Sequence, residues 1–310
     1  MPRRCARAWP IVALLLVSLA CAAHRARPVR VGLALGSGGA RGFAHVGVIR
    51  ALEEGGIPID LVAGSSVGSL IGALYADRPD ALALESAAGE IERDDLFDLL
   101  DWSPWGLQWG LNTGRTLERF VRAHVRVPAL EQLVIPFVAV AADVETGEAV
   151  VLDRGPVAAA VHASCAIPGF FRPVRIEGRL LVDGGVVDPV PVSTLRARGA
   201  DVVIAVDVSP GVPDGSPRSA AGVTLRSITI LMGELARERA AHADVVIRPV
   251  LSATDFGHRQ EMIGAGLAAG REALPRIREA MARARARSGP TRRPAPAGAR
   301  TPAAGATPPG

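Results

Sequence analysis

The chain has 310 residues, of which 49% are hydrophobic and 21% are charged, and its formal net charge is +4. This length can bury one sizeable core or two small ones, so we expect one enzyme-sized domain with dispensable ends. The chain contains no lysine, which excludes Walker A nucleotide binding, pyridoxal phosphate and Schiff-base chemistry, because each depends on an ε-amine.

The net positive charge of the chain comes from its two ends. Residues 1–28 and 283–310 together carry eleven arginines and no acidic residue, so the formal +4 of the whole chain becomes −7 for residues 29–282. We therefore expect no nucleic-acid partner for the globular part. Residues 283–310 are rich in Arg, Ala and Pro and are predicted to be a disordered tail. Its arginines either attract anionic lipid headgroups or are simply solvated.

Residues 1–28 have the pattern of an export signal with a short linker. Arginines precede an apolar run over 11–20 that is too short to span a bilayer and that ends in small residues before Cys21. The pattern predicts export to a bacterial cell envelope. Ala20 fits a lipobox, but Ser18 and Leu19 stand in the reverse of the usual order. Lipid anchorage through Cys21, soluble cleavage and an uncleaved anchor therefore stay open.

A glycine-rich loop follows the first strand-like run. It comprises Gly36, Ser37, Gly38, Gly39, Ala40, Arg41 and Gly42, and a helix-like stretch begins at Phe43. Glycines at a helix N-terminus present N–H donors, which suit an oxyanion as well as a phosphate. A Rossmann fingerprint would need glycine at position 41, and a Walker A loop would need lysine. An oxyanion hole is therefore the favoured interpretation, with a plain tight turn as the alternative.

A G-x-S-x-G sequence lies where a strand-like run turns into a helix-like one. Leu61 to Ala63 is followed by Gly64, Ser65, Ser66, Val67 and Gly68. This is the pattern of a nucleophile elbow, in which glycines flank a strained serine and let the helix pass close to the strand. Ser66 is the candidate nucleophile.

An aspartate ends another apolar strand-like run, at Asp183, with Gly184 and Gly185 directly after it. A carboxylate there can take the proton of a serine hydroxyl directly, as a general base without an imidazole. Taken alone, the same sequence favours the alternative interpretation, an Asp-Gly turn.

Taken together, the glycine loop, the G-x-S-x-G and the D-G-G resemble the patatin-like phospholipase family. The likeness is to bacterial members and to the catalytic domain of neuropathy-target-esterase-like proteins, and it covers roughly Val29 to Arg278. Residues 163–173 resemble the family's A-S-x-A-x-P-x-x-F segment, and residues 188–191 resemble its run after the aspartate. Ser37 departs from the pattern, where many members have glycine, although its N–H would remain available.

The resemblance implies a three-layer α/β/α fold with a mainly parallel sheet, and a lipid ester as substrate at a membrane surface. It implies no metal and no organic cofactor. It assigns the nucleophile to Ser66 and the base to Asp183. The implied oxyanion hole consists of backbone amides of Gly38, Gly39, Ala40 and Arg41.

The order of apolar runs agrees with one α/β domain over residues 29–282. Strands are predicted at 29–35, 61–63, 135–142, 149–152, 180–182, 202–208 and 245–247, and helices starting at Phe43, Val67, Pro156, Val192, Leu225 and Gln260. Sites in such sheets gather at the carboxyl ends of the strands. The oligomeric state is not predictable from these patterns.

Two other functions stay open at this stage. An α/β-hydrolase triad needs a histidine after Asp183, and the candidates are His242 and His258, both of which we expect to be solvated. His45 and His162 lie upstream, where they either support the site or simply pack, and packing is favoured for His162. A catalytically silent lipid-binding envelope protein would retain the fold without the reaction.

A tryptophan-rich segment lies between the two candidate catalytic residues. Residues 94–112 contain Trp102, Trp105 and Trp109, three of the four tryptophans of the chain. They predict either an acyl-binding cap or contact with a lipid interface, and ordinary packing explains them equally well.

Overall fold

The computed structural model describes residues 27–91, 98, 103, 110–211, 215–251 and 255–287. Residues Val29–Ala284 form one compact unit. The strands among the described residues are β1 (Val31–Leu35), β2 (Leu61–Ser65), β3 (Phe137–Asp143), β4 (Ala149–Leu152), β5 (Val174–Ile176), β6 (Arg179–Asp183), β7 (Val202–Val206) and β8 (Val245–Ile247).

Helices connect these strands. Within the described ranges they are α1 (Phe43–Glu54), α2 (Val67–Asp77), α3 (Ala81–Gly89), α4 (Arg115–His124), α5 (Val157–Ser164), α6 (Val192–Ala197), α7 (Ala220–Ala241) and α8 (Arg259–Arg287). Short 3-10 turns cover Gly39–Gly42, Leu130–Gln132, Gly184–Val186 and Phe256–His258. None of the helices in these ranges is both long enough and apolar enough to cross a bilayer.

The described strands form one sheet in the order β5-β6-β3-β2-β1-β7-β8, with β4 paired to β3. The central pairs are parallel, whereas β4, β5 and β6 add antiparallel pairs at one side. The mainly parallel sheet that the sequence predicts is thus confirmed.

Alternate residues of the central strands enter two separate cores. Leu33 and Ile204 belong to the larger core, whereas Ala34 and Val203 belong to a smaller one that includes Leu195 of α6. Side chains alternate between the two faces of a strand, so helices cover both faces of the sheet. This arrangement is the predicted three-layer α/β/α fold.

Several boundaries differ from the sequence-based ones. Helix α7 begins at Ala220 instead of Leu225, where the Ser219 hydroxyl accepts the Gly222 N–H. Helix α8 continues to Arg287, past the tail boundary predicted at Arg283, because alanine and arginine favour a helix. Strand β5 and helices α3 and α4 were not predicted.

Candidate active site

Ser66 is held in a strained turn between β2 and α2. Its backbone has φ 55° and ψ −130°, a conformation that non-glycine residues rarely adopt. A Cβ on Gly64 would overlap the backbone of Gly68, and a Cβ on Gly68 would overlap the Leu35 carbonyl oxygen. Both positions need glycine because the helix passes so close to the strands. The geometry is that of a nucleophile elbow.

The Ser66 side chain donates a hydrogen bond to a buried carboxylate. Its Oγ lies 2.6 Å from Oδ2 of Asp183. The Ser66 N–H donates to Ser164 Oγ at 3.0 Å, and the Ser164 hydroxyl in turn donates to the Val140 carbonyl at 2.6 Å. Ser164 therefore ties the elbow to β3. The sequence pattern around residue 164 is part of the family resemblance, but it does not reveal this positioning contact.

Asp183 reaches Ser66 across β3. Strand β6 is antiparallel to β3, with Asp183 opposite Ala141, while Ser65 of β2 lies opposite Val140. Asp183 therefore does not reach this edge of the sheet as the carboxyl end of a parallel strand. Strand β6 runs from the carboxyl end of β3 towards its amino end, and Asp183 pairs two residues before that carboxyl end. Asp183 therefore lies at the same height along the strands as Ser66.

Burial dominates the electrostatics of Asp183. The residue is 1% exposed, and burial raises its pKa from 3.8 to about 6. The hydrogen bonds that Oδ2 accepts from Ser66 and Oδ1 accepts from the Gly185 N–H, the latter at 2.7 Å, oppose part of that rise. The carboxylate is therefore mostly ionised at neutral pH, although it is a stronger base than an exposed aspartate.

Gly184 and Gly185 let the turn after β6 pack closely against its neighbours. A Cβ on Gly184 would overlap the Val140 carbonyl oxygen, and a Cβ on Gly185 would press on Ser37 and Met232. The two glycines thus permit the approach of Asp183 to the elbow.

The glycine loop presents backbone donors beside Ser66. Among the described residues, no acceptor binds the amides of Gly38, Gly39 or Ala40. The fourth predicted donor is engaged, because the Arg41 N–H donates to the Gly38 carbonyl at 3.3 Å within the 3-10 turn. Gly39 and Ala40 line the same cavity as Ser66.

The ends of the loop are anchored to the sheet. The Gly36 N–H donates to Val206 at 3.0 Å, and the Ser37 N–H donates to Pro189 at 2.9 Å. The expectation that the Ser37 N–H remains available is therefore wrong. Gly42 is required for packing, since a Cβ there would overlap the Val67 side chain.

His45 of α1 holds the first residue of this loop by a hydrogen bond. It is completely buried, and burial lowers its pKa to about 4, so the imidazole is neutral. Its Nε2 lies 2.8 Å from the Gly36 carbonyl and carries the proton that this contact needs.

The hydrogen bonds of the other described histidines go to groups other than Ser66 and Asp183. His162 bonds to Glu118 at 2.9 Å, in agreement with packing. His242 and His258 are exposed and bond to Glu238 and Asp255 of their own segments, each at 2.9 Å. No histidine in the described part of the chain therefore bonds to Asp183 as the third member of an α/β-hydrolase triad would.

An apolar cavity opens next to Ser66. Its volume is about 100 Å³, and its walls include Phe43, Leu70, Ile71, Leu117, Phe171 and Phe256. The free thiol of Cys165 also lines it. The predicted tryptophan cap at residues 102, 105 and 109 lies outside the described residues. No group of three or more His, Cys, Asp or Glu side chains suited to a metal ion occurs in the described ranges.

A nucleophile elbow, a buried aspartate and a glycine loop meet at one edge of a three-layer α/β/α fold. Residues 33–196, more than half of the chain, match the family model for patatin-like phospholipase. The chain therefore belongs to the patatin-like phospholipase family, as its motifs predicted.

The names of two similar proteins are consistent with this family. An uncharacterized NTE family protein of Mycobacterium tuberculosis is 44% identical over 192 residues, which are 62% of this chain and 52% of that protein. Lysophospholipase NTE1 of Mycosarcoma maydis is 39% identical over 217 residues, 68% of this chain and 11% of that protein. The chain thus spans about half of the first relative and about a tenth of the second.

A solved structure shares the fold. The crystal structure of VipD from Legionella pneumophila matches with a TM-score of 0.52 at 14% identity, covering 82% of this chain and 68% of that one. At this identity the match shows the fold alone.

Proposed function

We propose that this protein is a serine-dependent lipid acyl hydrolase of the phospholipase A or lysophospholipase type. The observation that carries the proposal is the 2.6 Å hydrogen bond to the buried Asp183 carboxylate from Ser66, which lines an apolar cavity. A nucleophile bonded to its own base is the arrangement that acyl transfer requires.

The proposed mechanism has two acyl-transfer steps. Asp183 accepts the proton of Ser66 as Oγ attacks the ester carbonyl, and the amides of Gly38, Gly39 and Ala40 stabilise the tetrahedral oxyanion. The intermediate collapses to an acyl-enzyme, and the Asp183 proton passes to the departing alcohol. Water then attacks the acyl group with Asp183 again as base, which releases the fatty acid and restores Ser66. Loss of one oxyanion donor typically costs about 10² to 10³ in kcat.

The chemistry of the cavity supports a lipid substrate. Its walls are almost wholly apolar, which suits an acyl chain. The name of the fungal relative supports a lysophospholipid as the ester, and the family description supports a phospholipid. The mechanism needs no metal or organic cofactor. Export to a cell envelope, and attachment through Cys21, remain sequence-based proposals, since residues 1–26 lie outside the described ranges.

A lipid panel tests the proposal. The purified full chain is assayed on phosphatidylcholine, lysophosphatidylcholine, diacylglycerol and a soluble short-chain ester, beside Ser66→Ala and Asp183→Asn. Each variant should lose hydrolysis, and the double variant should be little worse than either single one, because the two residues act as a unit.

The matched control is Ser65→Ala. Ser65 is the adjacent buried serine; the Ser37 hydroxyl donates to its Oγ at 3.2 Å, whereas the carboxylate of Asp183 is bonded by Ser66. It should retain kcat within about tenfold of the unmodified chain, as expected for a residue outside the reacting unit. Activity retained by folded Ser66→Ala would overturn the proposal, and a fully silent unmodified chain would favour the lipid-binding alternative.

A further inference from the structure

The first part of α7 extends away from the core. The helix has 22 residues and is therefore roughly 33 Å long, whereas the strands that it connects, β7 and β8, have five and three residues. Its second part buries Ala236 and Ala240 in the smaller core. Over Ala220–Met232, no side chain that the structure describes is buried.

This extended part carries large apolar side chains in solvent. Val223 is 51% exposed and Leu231 is 69% exposed, and Ile228 and Ile230 are also exposed. We call these four residues the α7 surface. Single exposed apolar residues are ordinary, but a group of them on the exposed first part of one helix indicates an interaction surface.

The α7 surface lies beside the candidate active site. Helix α7 contacts the turn Gly184–Val186 directly after Asp183, and the Met232 side chain packs against Gly185. Val186 of that turn is exposed, as is Ile167, which lines the cavity next to Ser66. Exposed apolar side chains thus lie both on the turn that α7 contacts and on the wall of the Ser66 cavity.

The local charge is opposite to that of the domain. Residues 215–241 have a formal charge of +2, whereas residues 29–282 carry −7; they contain Arg218, Arg226, Arg237, Arg239, Glu234 and Glu238. Arg218 is exposed, and Arg226 donates to the Gly215 carbonyl. A helix that combines exposed apolar side chains with arginines is suited to an anionic lipid interface.

We infer that the α7 surface docks the protein on an anionic phospholipid bilayer, with the opening of the Ser66 cavity directed at the lipid. The inference rests on the proposed function for the nature of the substrate. The apolar side chains enter the boundary between headgroups and acyl chains, and the arginines contact lipid phosphates. Docking there brings an ester next to Ser66 without its complete transfer through water.

The test measures vesicle binding separately from catalysis. Sedimentation with phosphatidylcholine vesicles, with or without phosphatidylglycerol, is carried out in the Ser66→Ala background, so that the lipid is not consumed. Val223→Gln/Leu231→Gln should weaken binding to the anionic vesicles by about tenfold or more, because two apolar side chains lose their burial in lipid. Arg218→Gln should weaken it by about fivefold at low salt.

The matched control is Val134→Gln/Leu82→Gln. Leu82 is 68% exposed and Val134 is 64% exposed, so the same chemistry is removed at similar exposure. Both lie near the amino ends of the strands, since Val134 precedes β3 and Leu82 follows α2. This control should bind vesicles as the Ser66→Ala parent does.

Each outcome decides the inference. Equal loss in the two double variants, or no binding of the parent to anionic vesicles, would overturn it. A dimer in sedimentation velocity that the α7 variant abolishes, without vesicle binding, would assign the surface to a second copy and also overturn it. If the double variant fails to fold by circular dichroism, Leu231→Gln alone supplies the test. Hydrolysis of a soluble ester, measured with Ser66 intact, reports on the proposed function independently.

Discussion

Replacement of Asp183 by asparagine should abolish hydrolysis and increase the free energy of unfolding at neutral pH. The carboxyl group is 1% exposed, and its pKa is raised from 3.8 to about 6, chiefly by burial. At 1.36 kcal/mol for each pKa unit, the ionised form costs about 3 kcal/mol of folding free energy relative to the protonated form. Asparagine keeps the shape and an oxygen acceptor for the Gly185 N–H, but it cannot ionise.

The sign of the effect follows from the direction of the shift. A carboxyl group with a raised pKa contributes stability that is fully present below pH 3.8 and is lost as the pH rises through about 6. Asp183→Asn avoids that loss. The difference in free energy of unfolding between variant and unmodified protein should therefore grow by about 2 kcal/mol between pH 4 and pH 7. Other titrating groups contribute equally to both proteins and cancel in the difference.

Urea unfolding followed by circular dichroism at several pH values measures this difference. The control is Asp188→Asn, because burial also raises the pKa of Asp188 to about 6, while its Oδ1 is buried without a partner in the described part of the chain. Both variants should gain stability towards neutral pH, but only Asp183→Asn should lose hydrolysis. A difference for Asp183→Asn that stays constant from pH 4 to pH 7 would refute the reasoning.

The remaining predictions concern the pH profile, the histidines and the glycines. Because Asp183 must be ionised to act as base, kcat/KM should follow one ionisation near pH 6 and fall at pH 5 to about a tenth of its plateau; a flat profile down to pH 5 would exclude Asp183 as the base. His242→Gln/His258→Gln should leave kcat within about tenfold, whereas loss of a triad histidine would cost orders of magnitude. Gly68→Ala should destabilise the protein by about 3 kcal/mol or more in urea unfolding, because the new Cβ meets backbone. Gly39→Ala should cost only about 1–2 kcal/mol, because its φ is +58° but the space beside it is open.

Local sequence patterns were sufficient to predict the central strands and the elbow. Apolar runs followed by glycine mark β1 and β2, and the G-x-S-x-G sequence locates the turn at Ser66, because only glycine allows such close packing of helix and strand. The short strand β5 was missed because three residues at the edge of a sheet carry little periodicity.

Contacts between distant segments could not be predicted in the same way. The sequence near Arg41 does not show that its amide is engaged whereas that of Ala40 finds no acceptor among the described residues, since this depends on the 3-10 geometry of the loop. The Ser37 amide was expected to be available, but tertiary packing brings the Pro189 carbonyl to it. The antiparallel course of β6 is likewise set by pairing with β3, which no local pattern encodes.

Covalent labelling of Ser66 tests the central claim most directly. The full chain is treated with a fluorophosphonate at pH 7.5, and the modified residue is located by peptide mass spectrometry. The account predicts one adduct, on Ser66, that is absent from Ser66→Ala, forms much more slowly in Asp183→Asn and forms at the normal rate in Ser65→Ala. An adduct on another residue with parallel loss of hydrolysis, or full hydrolysis by a chain whose Ser66 is blocked, would contradict it.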